Sequence, residues 1–204
     1  MGGDIILGIA AVVFVAPLLV VLIIRLLKDY EPPHRRAGRR GERVVSDAIR
    51  ELLWEDDYLF TNVSVSYDNR PAEFDNIIVN RYGVFIIEVK NYVGCLYGKE
   101  DDFEWTKQKT TEGGYTYVKT VKNPIKQVRR QTDILARYLR DYGVRVWVEG
   151  YAYLIHGNSP IESPYLLKDR QNINKTIHTF RKNRLDELTV KTICDLLADC
   201  EKTD

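Results

Sequence analysis

Charge is nearly absent from the start of this chain. Asp4 is the one charged side chain before Arg25, and none lies between Ile5 and Ile24. Cysteine, histidine and methionine are scarce too, at three, three and one in 204 residues. Cys95, Cys194 and Cys200 are odd in number and lack zinc-like spacing, which argues against a disulfide framework and for reduced thiols. His34, His156 and His178 show no ligand spacing and are given no role. A net charge of +1 removes any argument for nucleic acid from whole-chain charge. No internal repeat is visible.

What fills the uncharged run is Ile, Leu, Val, Ala and Phe, broken only by Gly8 and Pro17. About 20 apolar residues at ~1.5 Å rise match a hydrocarbon core of ~30 Å, and membrane helices tolerate a proline such as Pro17. A buried soluble helix is rarely so long and so uniformly apolar. A cleaved signal peptide would need a basic start, a shorter apolar core and a small-residue cleavage site, and this segment lacks them. Arg25, Lys28, Arg35, Arg36, Arg39, Arg40 and Arg43 follow the run, whereas no basic residue precedes it. The expectation is a single transmembrane helix in residues 1–28, touching the lipid bilayer through residues 5–27. It makes a single-pass cell-membrane protein whose C-terminal part is cytoplasmic. Pro32 and Pro33 oppose helix, so residues 29–40 read as a solvated basic linker, and residues 41–204 fit one domain. The basic cluster serves as a topogenic signal, a contact for anionic head groups or a phosphate contact, which sequence does not separate.

Within the domain, Val44, Val45, Ala48, Ile49 and Leu52 recur at helical spacing, predicting a helix from about Gly41 to Leu53 with Glu42 in its first turn. Strands are predicted over Tyr58–Tyr67, Glu73–Asn80 and Val84–Lys90, joined by the turn residues Asp68–Pro71 and Arg81–Gly83. Shorter strands follow near Gly94–Gly98, Phe103–Gln108 and Tyr115–Val121. Asn123 and Pro124 are a good cap and first residue for a long helix reaching Tyr142. Arg145–Ile155 reads as a strand, and helices near 172–182 and 189–201 close the chain.

Polar residues sit at particular places in these apolar strands. Strict alternation puts Glu73, Asp75, Ile77 and Val79 on one face of their strand, and Val84, Ile86, Glu88 and Lys90 on one face of the next. Two carboxylates and an ammonium ending otherwise apolar faces are costly unless paired or bound to a metal. A Glu88–Lys90 or Asp75–Lys90 ion pair at a strand end is the plainer reading. The preceding aspartate on an adjacent strand and the upstream helical Glu42 weigh against it.

Gly41-Glu42, Glu73-Phe-Asp75, Gly83-Val-Phe-Ile-Ile-Glu88-Val-Lys90-Asn91, Gly94, Trp105 and Asn123-Pro124-Ile-Lys-Gln127 occur in that order. As a set they resemble the nuclease-related domain (NERD) family, placed in the PD-(D/E)xK nuclease superfamily. The resemblance covers about Gly41 to Tyr142. It implies a restriction-endonuclease-like α/β fold, a mixed central sheet flanked by helices and here preceded by the transmembrane helix. It also implies a divalent-metal-dependent nuclease that hydrolyses phosphodiesters in DNA or RNA. Asp75 and Glu88, with the Val89 carbonyl and Glu42 as accessory ligands, would hold Mg²⁺ or Mn²⁺, for which hard oxygens are suited. Lys90 would orient or help deprotonate the attacking water, and Gln127 would point back at the metal or the scissile phosphate.

Each residue keeps a plainer alternative: a helix-dipole carboxylate for Glu42, a solvated helix position for Gln127, and core or sheet packing, in place of a base-stacking platform, for Trp105, Tyr97 and Phe103. The long helix is basic at Lys122, Lys126, Arg129, Arg130, Arg137 and Arg140, either as a phosphate-contacting stripe or as a solvated outer face. The competing functions are a non-catalytic nucleic-acid-binding or protein-interaction module, and a lipid-facing scaffold.

Overall fold

A computed structural model describes residues 18–22, 24–25, 32–179 and 184–201. Most of the expected membrane span lies outside these residues. Of it, residues 18–22 and 24 are helical and exposed. Among the described residues, no helix is long and apolar enough to cross a membrane. The chain divides into two compact units, residues 1–37 and 38–204, and the candidate site belongs to the second.

Helix α1 spans Pro33–Arg50 and so begins inside the stretch expected to be a non-helical linker. Proline is tolerated in the first turn of a helix, where its missing N–H would be unsatisfied anyway and its fixed φ is already helical. The Pro32 carbonyl accepts the amides of Arg35 and Arg36 at 3.0 and 3.2 Å. The two prolines therefore start the helix rather than oppose it.

Strands β1 (Tyr58–Tyr67), β2 (Arg70–Asn80) and β3 (Gly83–Lys90) form an antiparallel meander. Asp68 and Asn69, both at positive φ, make the first turn, the backbone that a two-residue hairpin needs. A separate ribbon follows, made of β4 (Cys95–Tyr97), β5 (Glu104–Thr110) and β6 (Thr116–Lys122). Helix α2 (Pro124–Asp141) then carries the chain to β7 (Val148–Leu154), which pairs parallel with β3. A two-residue strand, β8 (Leu166–Leu167), adds to β7, giving the order β1-β2-β3-β7-β8. Helices α3 (Arg170–His178) and α4 (Glu187–Ala198) complete the unit.

The result is a mixed central sheet flanked by helices, with three apolar clusters. On one face Val84, Ile86, Ile77 and Val79 meet Ile134 and Leu135 of α2 and Val190, Ile193 and Leu197 of α4. On the other, Phe85, Ile87 and Ile78 meet Val45 and Ile49 of α1 and Ile173 and Ile177 of α3. The third joins Leu96 and Trp105 of the ribbon to Ile125 and Val128 of α2, Leu154 of β7, and Ile161 and Leu166.

Gly150 on β7 sets how closely α2 approaches the sheet. A Cβ there would stand 2.5 Å from Thr132 Oγ1 and 3.1 Å from the Val128 carbonyl. The Thr132 hydroxyl already donates to that carbonyl at 2.8 Å, so it has little freedom to yield. Gly150→Ala is expected to cost about 1–3 kcal/mol by overpacking. Urea unfolding of the full chain reads this directly, and an unchanged midpoint would show that α2 is not held this close.

Candidate functional site

Strict alternation does not survive along β2. Ala72 and Phe74 enter the same apolar cluster as Ile77 and Val79, so the inward phase shifts by one residue across Asp75 and Asn76. Strand β1 shifts in step, with Phe60 and then Val63 and Val65 inward and Asn62 at φ 53° between them. The expected shared face of Glu73, Asp75, Ile77 and Val79 is therefore corrected: Glu73 is exposed on the far side of the break. Two strands changing phase together keep the same register on both sides of the break, from Tyr58↔Val79 to Thr61↔Asn76 and from Val63↔Phe74 to Tyr67↔Arg70.

This break is where β2 leaves β3. Their pairing ends at Asn76↔Ile87, and beyond it the Asp75 carboxylate takes the place of a strand. Asp75 Oδ2 accepts the Val89 amide at 2.7 Å. Asn76 faces the other way, buried, with its Oδ1 2.6 Å from the Ser46 hydroxyl of α1. Gly41 lets α1 come this near. A Cβ there would lie 2.9 Å from both Asn91 Nδ2 and Ile155 Cδ1, at the ends of β3 and β7.

Glu88, only 4% exposed, lies two residues before the end of β3. The regular face of β3 aims it at α2, above Ala152 of β7. Its Oε1 accepts Lys90 Nζ and Gln127 Nε2, both at 2.6 Å, and its Oε2 accepts Gln131 Nε2 at 2.7 Å. The plainer reading of an ion pair at a strand end is thus realised between Glu88 and Lys90, but inside a larger network. Gln127 is an inward-facing member of that network, not a solvated helix residue.

Gln131 was not singled out in the sequence. It is one turn beyond Gln127 on the same helix face, so a Gln-x-x-x-Gln spacing was the available signal. Its Nε2 also donates to the Glu73 carbonyl at 2.7 Å. Because that nitrogen serves two oxygens, the amide orientation is settled by its partners. Gln131 Oε1 is left buried with no hydrogen-bond partner among the described residues.

The charges act on one another. Burial, and then the Glu88 charge, push the Asp75 carboxyl up to about 8, while the Val89 amide pulls against them and Glu42 adds to the rise. Glu42 on α1 is likewise raised, first by burial and then by Glu88. Burial pulls Lys90 down, but the charge and hydrogen bond of Glu88 outweigh it and leave its pKa raised. Asp75, Glu88, Lys90, Glu42 and Gln127 therefore gather at one end of the sheet, as expected. Among the described residues, however, no group of three His, Cys, Asp or Glu side chains stands ready to hold a metal ion.

The basic stripe on α2 is largely occupied. Arg129 pairs with Glu100 and Asp101, Arg130 donates to the Pro71 carbonyl at 2.9 Å, and Arg137 pairs with Asp133. Lys126 sits over the ring of Phe103 at 3.9 Å. Trp105 is core, 1% exposed, but Phe103 at 83% is not sheet packing, and Tyr97 is also exposed. One of the three histidines given no role, His178, has one in the fold. His178 Nε2 is 2.7 Å from buried Asp57, with its ring stacked on Trp54. All three cysteines are free thiols.

A family model described as nuclease-related domain matches residues 37–155. An uncharacterized protein of Bacillus anthracis is 34% identical over 71 residues, which cover 34% of this chain. The chain spans about a third of the length of this curated relative. No solved structure matches the chain at a significant level.

Proposed function

The chain belongs to the nuclease-related domain family, and from that premise we propose that its site hydrolyses phosphodiesters in nucleic acid with the help of a divalent cation. The observation that carries this reading is the convergence of Lys90, Gln127 and Gln131 on the buried Glu88 carboxylate, beside Asp75 at the point where β2 leaves β3. A salt bridge that served only the fold would need neither a second carboxylate in its field nor two glutamines brought to one acid.

The donor set is oxygen throughout, a chemistry that supports a hard cation. Asp75 and Glu42 both have raised proton affinity, first because they are buried and then because of the Glu88 charge beside them, and a divalent ion would offset both the buried negative charge and the repulsion. The unpartnered Gln131 Oε1 is a further oxygen in want of a positive partner. Asp75 and Glu88 would hold the ion, with Glu42 and the Val89 carbonyl as accessory ligands. When bound, Mg²⁺ or Mn²⁺ supplies Lewis acidity at the phosphoryl oxygen and a more acidic water.

The protein's own groups do the rest. Lys90 Nζ, anchored on Glu88, would donate to charge that develops on the phosphorus oxygens and would help to take the water's proton. Gln127 and Gln131 keep the Glu88 carboxylate in one rotamer. Asp75 is held by the Val89 amide. The wider reading has the superfamily's restriction-endonuclease-like fold, with residues 41–204 as the catalytic domain and residues 1–28 as a single-pass anchor that places it on the cytoplasmic face. The uncharged run from Ile5 to Ile24, followed by seven basic residues, supports the anchor.

The test is cleavage of labelled DNA and RNA by the full chain with Mg²⁺, Mn²⁺ or EDTA, alongside Glu88→Gln. Cleavage should require metal and fall by about 10³-fold or more in the variant. Equal cleavage by wild type and variant would rule the site out. Metal-independent binding without cleavage would leave a non-catalytic nucleic-acid-binding module in its place.

A further inference from the structure

Beside the site, the β4–β6 ribbon presents a face that is apolar at its root and basic beyond. Pairing sets Trp105 opposite Val121, Lys107 opposite Lys119, and Lys109 opposite Tyr117. Alternation puts all six side chains on one face. At the root, Trp105 and Val121 pack into the third apolar cluster with Leu96. Past them the same face carries Lys107, Lys109, Lys119 and Tyr117, with no acid among them. Lys109 and Lys119 are exposed, and so is Tyr117, at 63%.

None of these three ammoniums pairs with a carboxylate among the described residues. Lys107 instead lies over the ring of Tyr92, 5.7 Å from its centroid. Tyr92 follows Lys90 by two residues, just past the end of β3. The basic half-face therefore begins at the candidate site and runs outward from it.

We infer that this half-face holds the backbone of a single-stranded nucleic acid and leads it to Glu88 and Lys90, an inference that rests on the phosphodiesterase reading of the site. Three uncompensated ammoniums on an extended ribbon suit a chain of regularly spaced phosphates. Lys107 and Lys109, two residues apart on one strand, stand roughly 7 Å from each other, so consecutive contacts follow one backbone. The exposed Tyr117 ring among them offers a stacking face that an unpaired base can use and a paired one cannot. A duplex gains only the charge, and an acidic peptide has no base to place on the ring.

Fluorescence anisotropy of the full chain in EDTA separates binding from cleavage. A labelled single-stranded oligonucleotide should bind more tightly than its duplex. Lys107→Gln/Lys109→Gln/Lys119→Gln should weaken single-strand binding by about thirtyfold and lower the slope of log K against log salt by about two. Tyr117→Ala should cost about tenfold for the single strand and almost nothing for the duplex. All four side chains project from the ribbon's outer half, and an unchanged melting temperature checks that the variants fold. Unchanged affinity and slope in the triple variant overturn the assignment, and equal binding of duplex and single strand overturns its single-strand part. Metal-dependent cleavage with ribbon-independent binding removes this inference and spares the nuclease reading. Ribbon-dependent binding with no cleavage in any metal does the reverse.

Discussion

Lys90→Met is expected to lower metal-dependent cleavage by about 10³-fold or more while oligonucleotide affinity changes little. Removing a donor aimed at developing charge, together with a group on the proton path, typically costs two to four orders of magnitude. The fold suffers as well. Glu88 is buried and loses its ion pair, and breaking such a pair costs about 3–5 kcal/mol when the remaining charge is uncompensated. Here Gln127 and Gln131 still donate to both carboxylate oxygens, so the loss should fall at or below the lower end of that range. Lys90→Arg separates the two roles. It keeps the positive charge and the stability, but the planar guanidinium cannot place a single donor where Nζ stands and does not exchange protons. Its activity should stay near that of the methionine variant while its melting temperature returns towards wild type. Full activity in Lys90→Arg would reduce Lys90 to a structural counter-ion of Glu88.

Asp75→Asn is expected to stabilise the metal-free protein, and more so as pH rises. The folded-state pKa of Asp75 is raised to about 8, well above the ordinary 3.8 of an aspartate. A raised folded pKa means that the folded state holds a proton that the unfolded state has released. The stability this gives is full below about pH 4 and is lost as pH climbs to about 8. An amide resembles the protonated acid and does not titrate. Near pH 4 the variant and wild type should therefore melt together. By pH 8 the variant should lead by a few kcal/mol, roughly 5–10 °C for a domain of this size. Mn²⁺ added at pH 8 should raise the wild-type melting temperature and leave the variant where it was, because the ion replaces the proton as the partner of the carboxylates. Melting curves that stay parallel from pH 4 to pH 8 would mean that Asp75 ionises freely and that Glu88 exerts no pressure on it.

The sequence was legible where local chemistry decides. The Asn123 cap and Pro124 of α2, the Asp68–Asn69 turn, and the strict alternation of β3 all carry their signals within a few residues, so β1–β7, α2 and the gathering of Asp75, Glu88, Lys90 and Gln127 could be anticipated. The misses have physical reasons. Alternation fails at Asp75 because β2 separates from β3 there and a side chain takes over a backbone bond, an event set by the neighbouring strand and not by β2 itself. Strand β8 is two residues long and borrows its existence from β7. Pro33 looked like a helix breaker, although the first turn is where proline is harmless. Gln131 and the His178–Asp57 pair depend on partners 43 and 121 positions away, a separation that no periodicity encodes. The expected membrane span falls largely outside the described residues and stands on composition alone.

The three apolar clusters bear on how this protein should be handled at the bench. The family match stops at residue 155, yet each cluster takes one wall from chain beyond that point. Val190, Ile193 and Leu197 close the first, Ile173 and Ile177 the second, and Ile161 and Leu166 the third. An expression boundary drawn where the motif ends would open every core at once, and the insoluble product would say nothing about catalysis. Likewise, a start placed within Pro33–Arg50 would cut the helix that carries Glu42. The smallest trustworthy fragment begins ahead of Pro32 and keeps the chain through Glu201.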